Sequence, residues 1–381
     1  MTPRRLLILG ALAIIALVAS LLLSNQRSPS HQASTATLYP QLREQINSVN
    51  AVRLFKAGDA RAVELLHKDA GWIVSERNGY PADTAKVRKL LLALAQAKPV
   101  EEKTSNPQNY PALGVEDVSG ATATGVRVEL DGAAAPVNLI VGKSGSGAQS
   151  AYVRRAGEPA SWLIDQRIDA STNPHDWLRT EIIDVAADRV QSATIAIHGA
   201  KAYSAAKSSR ADADFAVDNV PKAKELDSPS AANGLASALA GLTLADVRPL
   251  KDFAADKPAA HATFRTFDGL VADFDGWMKD SKHYIAVKTA YDEALAQRFH
   301  VETKAPPDEG SEDKTPADTS AQKHADATPA AESKAVPEKV VEKIEDTARA
   351  TNARLSGWVY EIPEYKYEAI FKPMDALLKK K

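Results

Sequence analysis

The chain has no cysteine among its 381 residues. That absence excludes disulfide bridges, thiolate metal centres and a cysteine nucleophile together. It suits a compartment in which thiols would be oxidised, although a cytosolic chain can lack cysteine too. No charge sign dominates either: 47 Lys and Arg stand against 49 Asp and Glu, for a formal net charge of -2. A balance that close leaves no whole-chain attraction for a polyanion, so no nucleic-acid partner is expected. Aromatic residues make up only 6%, yet 44% of the chain is hydrophobic and 25% charged. Packed cores are therefore possible, and the length accommodates two domains of ordinary size.

The one long run without charge lies at the start. Arg4 and Arg5 precede Leu6–Leu23, dominated by Leu, Ile, Ala and Val, and Ser24-Asn25-Gln26 follow. A helix of that length, at about 1.5 Å per residue, approaches the hydrocarbon thickness of a bilayer. The flanking arginines stay cytoplasmic in such an arrangement and send the rest of the chain outward. Residues 1–25 are accordingly expected to be a cytoplasmic tip and transmembrane anchor. The competing readings are a cleaved signal peptide and a buried soluble helix. Against the first, the run is long and ends in Leu21-Leu22-Leu23 where small residues belong. Residues 26–45, whose first part is rich in Ser, Gln and Thr, read as a tether.

Beyond it, short apolar runs alternate with turn residues, the pattern of antiparallel strands. Val52–Phe55, Val63–Leu66 and Trp72–Val74 are the first three. Asp83 then offers an N-cap to a helix whose Val87, Leu90, Leu91 and Leu94 fall on one face. Strands resume at Val126–Leu130, Val137–Val141, Ala151–Val153 and Trp162–Ile164. From Val190 the order repeats. Ala193–Ile197 matches the first strand and Phe215–Val217 the third. Asp227-Ser228-Pro229 start a helix carrying Leu235, Leu239 and Leu242. Phe264–Gly269 echoes Val128–Gly132, both ending in Asp-Gly turns, and His283–Val287 follows. The expected fold is α+β: two tandem related units of mainly antiparallel strands, each with a packed helix, at residues 46–180 and 181–381.

The second unit carries an interruption. A stretch at about 301–335 consists of Ala, Pro, Glu, Asp, Lys, Ser and Thr without a large apolar residue. Such a composition cannot bury enough surface to offset ordering entropy, and a largely disordered insert is expected there. Val336, Val340, Ile344 and Thr347 suggest a helix leading back to Trp358–Glu361, the counterpart of Trp162–Asp165. Tyr367, Ile370, Phe371, Met374, Leu377 and Leu378 suggest a closing helix despite Pro373.

No motif points to chemistry. Gly142-Lys143-Ser144 resembles part of a phosphate loop, but Val137 stands where the first glycine belongs and a strand follows. A glycine-rich hairpin turn accounts for it. Asp273, Asp275 and Gly276 lack the order of a calcium loop and read as Asp-Gly turns between strands. His67, His175, His198, His261, His283 and His300 are isolated in the sequence, with no metal-ligand spacing. No strict Gly-x-Ser-x-Gly elbow exists. Trp162, Trp177, Trp358 and Tyr365 read as core anchors before a binding platform. Catalytic, cofactor-binding and metal-ligating residues are therefore all expected to be none.

In order, these weak motifs resemble an uncharacterised bacterial family, domain of unknown function 4340. The resemblance rests on Gly71–Val74 with the helix from Asp83 to Ala97, and on Tyr110–Val115 before the Val126 strand. Leu139–Gly142, Tyr152-Val153, Asp176–Arg179 leading to Ile182–Val185, and Gly357–Tyr360 complete it. The long Ala/Pro/charged insert departs from the pattern. The resemblance implies a single-pass inner-membrane protein with its bulk in the periplasm, auxiliary to ABC-type export systems of the gliding-motility kind, and without enzyme activity. Its expected partners are the membrane, through residues 6–23, and an ABC transporter permease or other envelope proteins. An extracytoplasmic ligand-binding protein for a polysaccharide, lipid or peptide is the main rival reading, and an envelope enzyme the third.

Overall fold

The computed structural model describes residues 36–133, 136–253, 257–299 and 338–380. They divide into two units, Met1–Arg179 and Thr180–Lys381. The expected anchor and most of the tether lie outside the described residues, as does the insert at 301–335. Among the described residues no helix is long and apolar enough to cross a membrane. The tether ends earlier than the composition suggests. Leu38 and Leu42 are buried, and the Leu38 amide donates to the Ala97 carbonyl, so the chain is already packed there.

In the first unit the alternating runs become β1 (Ala51–Lys56), β2 (Ala60–Lys68), β3 (Gly71–Val74) and β4 (Tyr80–Pro81). After α1 (Thr84–Gln96) come β5 (Pro99–Thr104), a helical turn α2 (Tyr110–Leu113), β6 (Val126–Asp131), β7 (Val137–Ser144), β8 (Ala151–Arg155) and β9 (Ser161–Ile164). They form one antiparallel sheet of order β4-β3-β2-β1-β6-β7-β8-β9-β5. Its core is a set of cross-strand rows. Val63, Leu54, Val128 and Leu139 are successive partners across β2, β1, β6 and β7, and each is 0% exposed. Burying each such side chain contributes roughly 1.5–3 kcal/mol. The Asp83 carboxylate accepts from the Ala85 and Lys86 amides and starts α1, whose Val87, Leu90, Leu91 and Leu94 are buried. Strand β5 escapes sequence reading because its residues, Pro-Val-Glu-Glu-Lys-Thr, do not alternate. It is an edge strand, and its charge suits an edge that must not pair further.

The second unit contains β10 (Glu181–Ile183), β11 (Val190–Ile197), β12 (Tyr203–Ala206), β13 (Ala216–Val217), β14 (Leu242–Thr243) and β15 (Asp246–Pro249). Then follow β16 (Ala260–Thr266), β17 (Leu270–Lys279), β18 (Lys282–Tyr291), α3 (Glu293–Phe299), α4 (Glu338–Leu355), β19 (Trp358–Ile362) and α5 (Glu364–Ile370). The main sheet has the order β13-β12-β11-β16-β17-β18-β19-β15, while β10 and β14 pair separately. Position by position this is the order β3-β2-β1-β6-β7-β8-β9-β5 of the first sheet, without a counterpart to β4.

Three expected elements differ. The helix read from Asp227 to Leu242 is not formed. The segment runs as turns and a 3-10 helix, Asn233–Ser237, and ends in β14. Ser228, Ser230, Asn233, Gly234 and Ser237 disfavour an α-helix, and tertiary burial of Leu235 and Leu239 is achieved without one. The closing helix stops at Ile370; Pro373, which lacks an amide hydrogen, precedes a separate 3-10 turn at Met374–Leu377. Asp275-Gly276 is no turn, for both residues lie inside β17, paired with His261 and Ala260. A fourth, the helix read from Val336, begins at Glu338 as α4, Val336 itself lying outside the described residues; among its described side chains Ala348 and Leu355 are buried and Thr347 is exposed.

Burial pushes the Tyr39 phenol up to about 12, against the pull of Arg155, and pushes Tyr367 up to about 12 as well. Neutral phenol is thus favoured by folding. The stability it contributes is complete below the ordinary value of 10.0 and is lost as pH rises through about 12. Phenolate absorbance and circular dichroism followed together should show Tyr39 and Tyr367 ionising only as the fold is lost. Ionisation of all tyrosines near pH 10, with the fold intact, would contradict it.

Candidate functional site

Strand alternation gives each sheet an inner face, packed as above, and an outer one. On the outer face of the first sheet the charges are paired. The Arg53 guanidinium meets Glu64 at 2.8 Å and Asp131 at 2.6 Å, while Arg127 meets Asp59 at 2.6 Å and Glu129 at 3.0 Å. The hydrogen bond from Arg53 holds the Glu64 carboxyl below its ordinary range.

The far half of that face is covered by the chain's own segment around α2. Tyr110 and Val115 pack with Ile140, flanked by Leu113 and Tyr152. Two glycines permit the approach. A Cβ on Gly125 would stand 2.3 Å from the Gly114 carbonyl oxygen, and one on Gly142 would stand 2.3 Å from that of Leu113. The buried Arg154 secures the cover. Its Nε donates to the Val115 carbonyl at 2.7 Å, and its other nitrogens donate to the Glu158 carbonyl at 3.0 Å and to Asp117 at 2.6 Å. Its guanidinium lies 4.6 Å from the Tyr110 ring centre. Lys143 donates to the carbonyls of Pro111 and Ala112. The stretch that resembles a phosphate loop thus serves to seat this segment, and the chain after it turns into β8 as expected.

The second sheet differs at the matching positions. Aligned on the buried pairs Val128–Leu139 and Phe264–Ala272, Arg127 and Ile140 match Thr263 and Asp273. One step further along the outer face, Gly125 and Gly142 match His261 and Asp275, and Arg154 matches Lys288. The glycines and the buried arginine that hold a cover are replaced by polar side chains that reach solvent. His261 Nδ1 lies 3.0 Å from Asp275 and its Nε2 lies 4.0 Å from Asp273, and the Thr263 hydroxyl donates to Asp273 at 2.5 Å. A cleft of about 220 Å³ opens beside them, with His261, Asp273 and Asp275 on one side, Leu250, Ser356 and Trp358 on the other, and Ala286 and Lys288 between. The outer face beyond is closed by Phe253, Trp277, Tyr284 and Val359.

A second cleft, of about 350 Å³, lies on the first unit beside α1. Leu90, Ala93 and Trp177 give it an apolar lining, and Lys86, Lys89 and Arg167 line it with Asp169 and Asp176. Asp176 is engaged by Ser171 and Asn173, and the Lys86 ammonium by the Asp176 carbonyl.

Among the described residues no group of three or more His, Asp or Glu is placed to hold a metal ion. The reason at His261 is geometric: the two carboxylates flank opposite ring nitrogens. Of the other described histidines, the His67 ring lies tilted against Trp72 and the His283 ring tilted against Tyr367. His300 lies outside the described residues, with His31 and His324. Trp177 is a core anchor, whereas Tyr365 is 66% exposed. Sequence reasoning missed the His261 cluster because its members are adjacent only through the pairing of β16 with β17. The available signal was His-x-Thr in one strand and Asp-x-Asp in the next.

A Gly142→Ala substitution should displace the α2 segment and cost about 1–3 kcal/mol, since the added Cβ would meet the Leu113 carbonyl oxygen, a backbone atom, at 2.3 Å. Urea unfolding with hydrogen exchange at residues 110–118 measures it. Wild-type stability with unchanged protection there would contradict the role given to Gly142.

No curated protein and no solved structure matches the chain significantly. The family described as Domain of unknown function (DUF4340) matches residues 72–265, from β3 in the first unit to β16 in the second. That span exceeds half of the chain, carries the α2 segment with its two glycines, and reaches His261 and Thr263; the chain belongs to this family.

Proposed function

We propose that the chain is a non-enzymatic, membrane-anchored extracytoplasmic accessory or scaffold protein, auxiliary to an ABC-type transport system. Leu6–Leu23 with Arg4 and Arg5 support the anchor and its orientation. The shared strand order supports two related units derived from one ancestral unit. One observation carries the reading. Among the described residues nothing covers the outer face of the second sheet at the positions where the first sheet is covered by its own chain. A surface kept polar and accessible in a fold able to cover it suits contact with another protein.

The cleft beside α1 favours a second reading, an extracytoplasmic protein that binds a lipid, polysaccharide or peptide. Its volume of about 350 Å³ falls within the range of small-molecule sites, and its apolar lining with Lys89 and Arg167 suits an anionic amphiphile.

Extraction in mild detergent should recover permease and ATPase subunits with the full chain. Replacing residues 1–25 by a cleavable secretion signal should reduce that recovery. Isolation of the chain alone in both cases would overturn the first reading. A small molecule found by native mass spectrometry, and lost in a K89E/R167E variant, would favour the second.

A further inference from the structure

Asp273 and Asp275 are unusual among the outer-face carboxylates of these sheets. Glu64, Asp131, Asp59, Glu129 and Glu361 each meet an Arg or Lys. Asp273 and Asp275 have only the His261 imidazole and the Thr263 hydroxyl, and among the described residues no Arg or Lys pairs with either. Both remain accessible, with side-chain exposures of 41% and 39%. Lys288, their nearest basic neighbour along the sheet, stands opposite Asp273 in β18 but is exposed and makes no ion pair with it.

The cleft is too small for an ordinary ligand. At about 220 Å³ it lies below the roughly 300–1,000 Å³ of small-molecule sites. That is room for one long side chain. His261 and Thr263 take up only part of the acceptor capacity of the two carboxylates, which leaves oxygens for a further donor. Trp358 and Leu250 supply apolar wall on the opposite side, which suits the methylene stem or the flat face of a guanidinium. In the first unit, the same position along the sheet holds the chain's own arginine, Arg154, bonded to a carboxylate and stacked on an aromatic ring. At that position the open half carries Lys288, which is exposed and, among the described residues, pairs with no carboxylate.

We infer that the His261–Asp273–Asp275 cleft accepts an arginine or lysine side chain from a partner polypeptide. The cationic head lies between Asp273 and Asp275, and the stem lies against Leu250 and Trp358. This deepens the accessory reading by naming the chemistry through which the open face meets its partner. Arginine fits better than lysine, because its planar fork serves two carboxylates at once.

The test uses the detergent-solubilised full chain and the peptide acetyl-Gly-Gly-Arg-Gly-Gly-amide, with lysine, norleucine and glutamate versions as comparisons. Binding is followed by calorimetry and by the His261 imidazole resonances. The arginine peptide should bind and shift His261, the lysine peptide should bind more weakly, and the norleucine and glutamate peptides should do neither. D273N/D275N should weaken arginine-peptide binding by about fivefold, the scale of two half-exposed ion pairs. K288Q, which removes a surface cation without touching the core, should tighten it by about twofold. Equal binding of the norleucine peptide, or indifference to both variants, would overturn the assignment. So would saturation of His261 by a neutral saccharide or by a second copy of the chain. Transporter subunits that still co-purify with D273N/D275N would refute this cleft as the contact and leave the accessory reading standing. Peptide binding without any co-purification would do the reverse.

Discussion

A strand residue must face one side of its sheet or the other, and pairing register decides which partners it meets there. Everything else in this protein follows from that constraint. In the first unit it lines up Val63, Leu54, Val128 and Leu139 on the buried face. It sends Arg53, Glu64, Arg127 and Glu129 to the opposite side, where they pair. In the second unit the same alternation puts Phe264 and Phe274 inside, with their rings edge to face. It leaves His261, Thr263, Asp273 and Asp275 together outside.

Two sheets of one strand order have been completed differently. The first spends the segment between β5 and β6 on covering its own outer face. Gly125 and Gly142 let backbone approach backbone, and Arg154 satisfies the Val115 carbonyl brought down with it. A buried arginine is tolerable only when hydrogen-bonded throughout, and this one is bonded to two carbonyls and a carboxylate. The second sheet has a shorter connection between β15 and β16, residues 250–259, and polar side chains at the glycine positions. Side chains there exclude the same close cover, and the Asp273 and Asp275 side chains are 41% and 39% exposed. The functional proposal rests on this difference between two otherwise corresponding surfaces.

Much of the fold was legible because strong local patterns agree with the final burial. Asp83 caps its helix, Val87, Leu90, Leu91 and Leu94 face the core, and the Asp268-Gly269 turn closes the β16–β17 hairpin. Where local and tertiary demands part, reading failed. Leu235 and Leu239 have helical spacing, yet Asn233 and Gly234 weaken the helix, and their burial proceeds through turns. Strand β5 has no apolar pattern at all and exists through its hydrogen bonds to β9. Asp275-Gly276 carries a turn signature but lies in mid-strand. There Gly276 is needed for close packing, because a Cβ would meet the Phe371 ring at 2.5 Å.

The sequence by itself determined the absence of thiol chemistry, the apolar run at the start, the strand and helix periodicities, and the order of those elements along the chain. These are properties of composition and of neighbours along the chain. The tertiary structure alone decided which outer face is covered and which is open. It also decided that Gly142-Lys143 seats a backbone segment, and that His261 meets Asp273 and Asp275. Those outcomes depend on the register between strands, and register is set by the sum of many buried side-chain contacts across the sheet, which no local stretch of sequence contains.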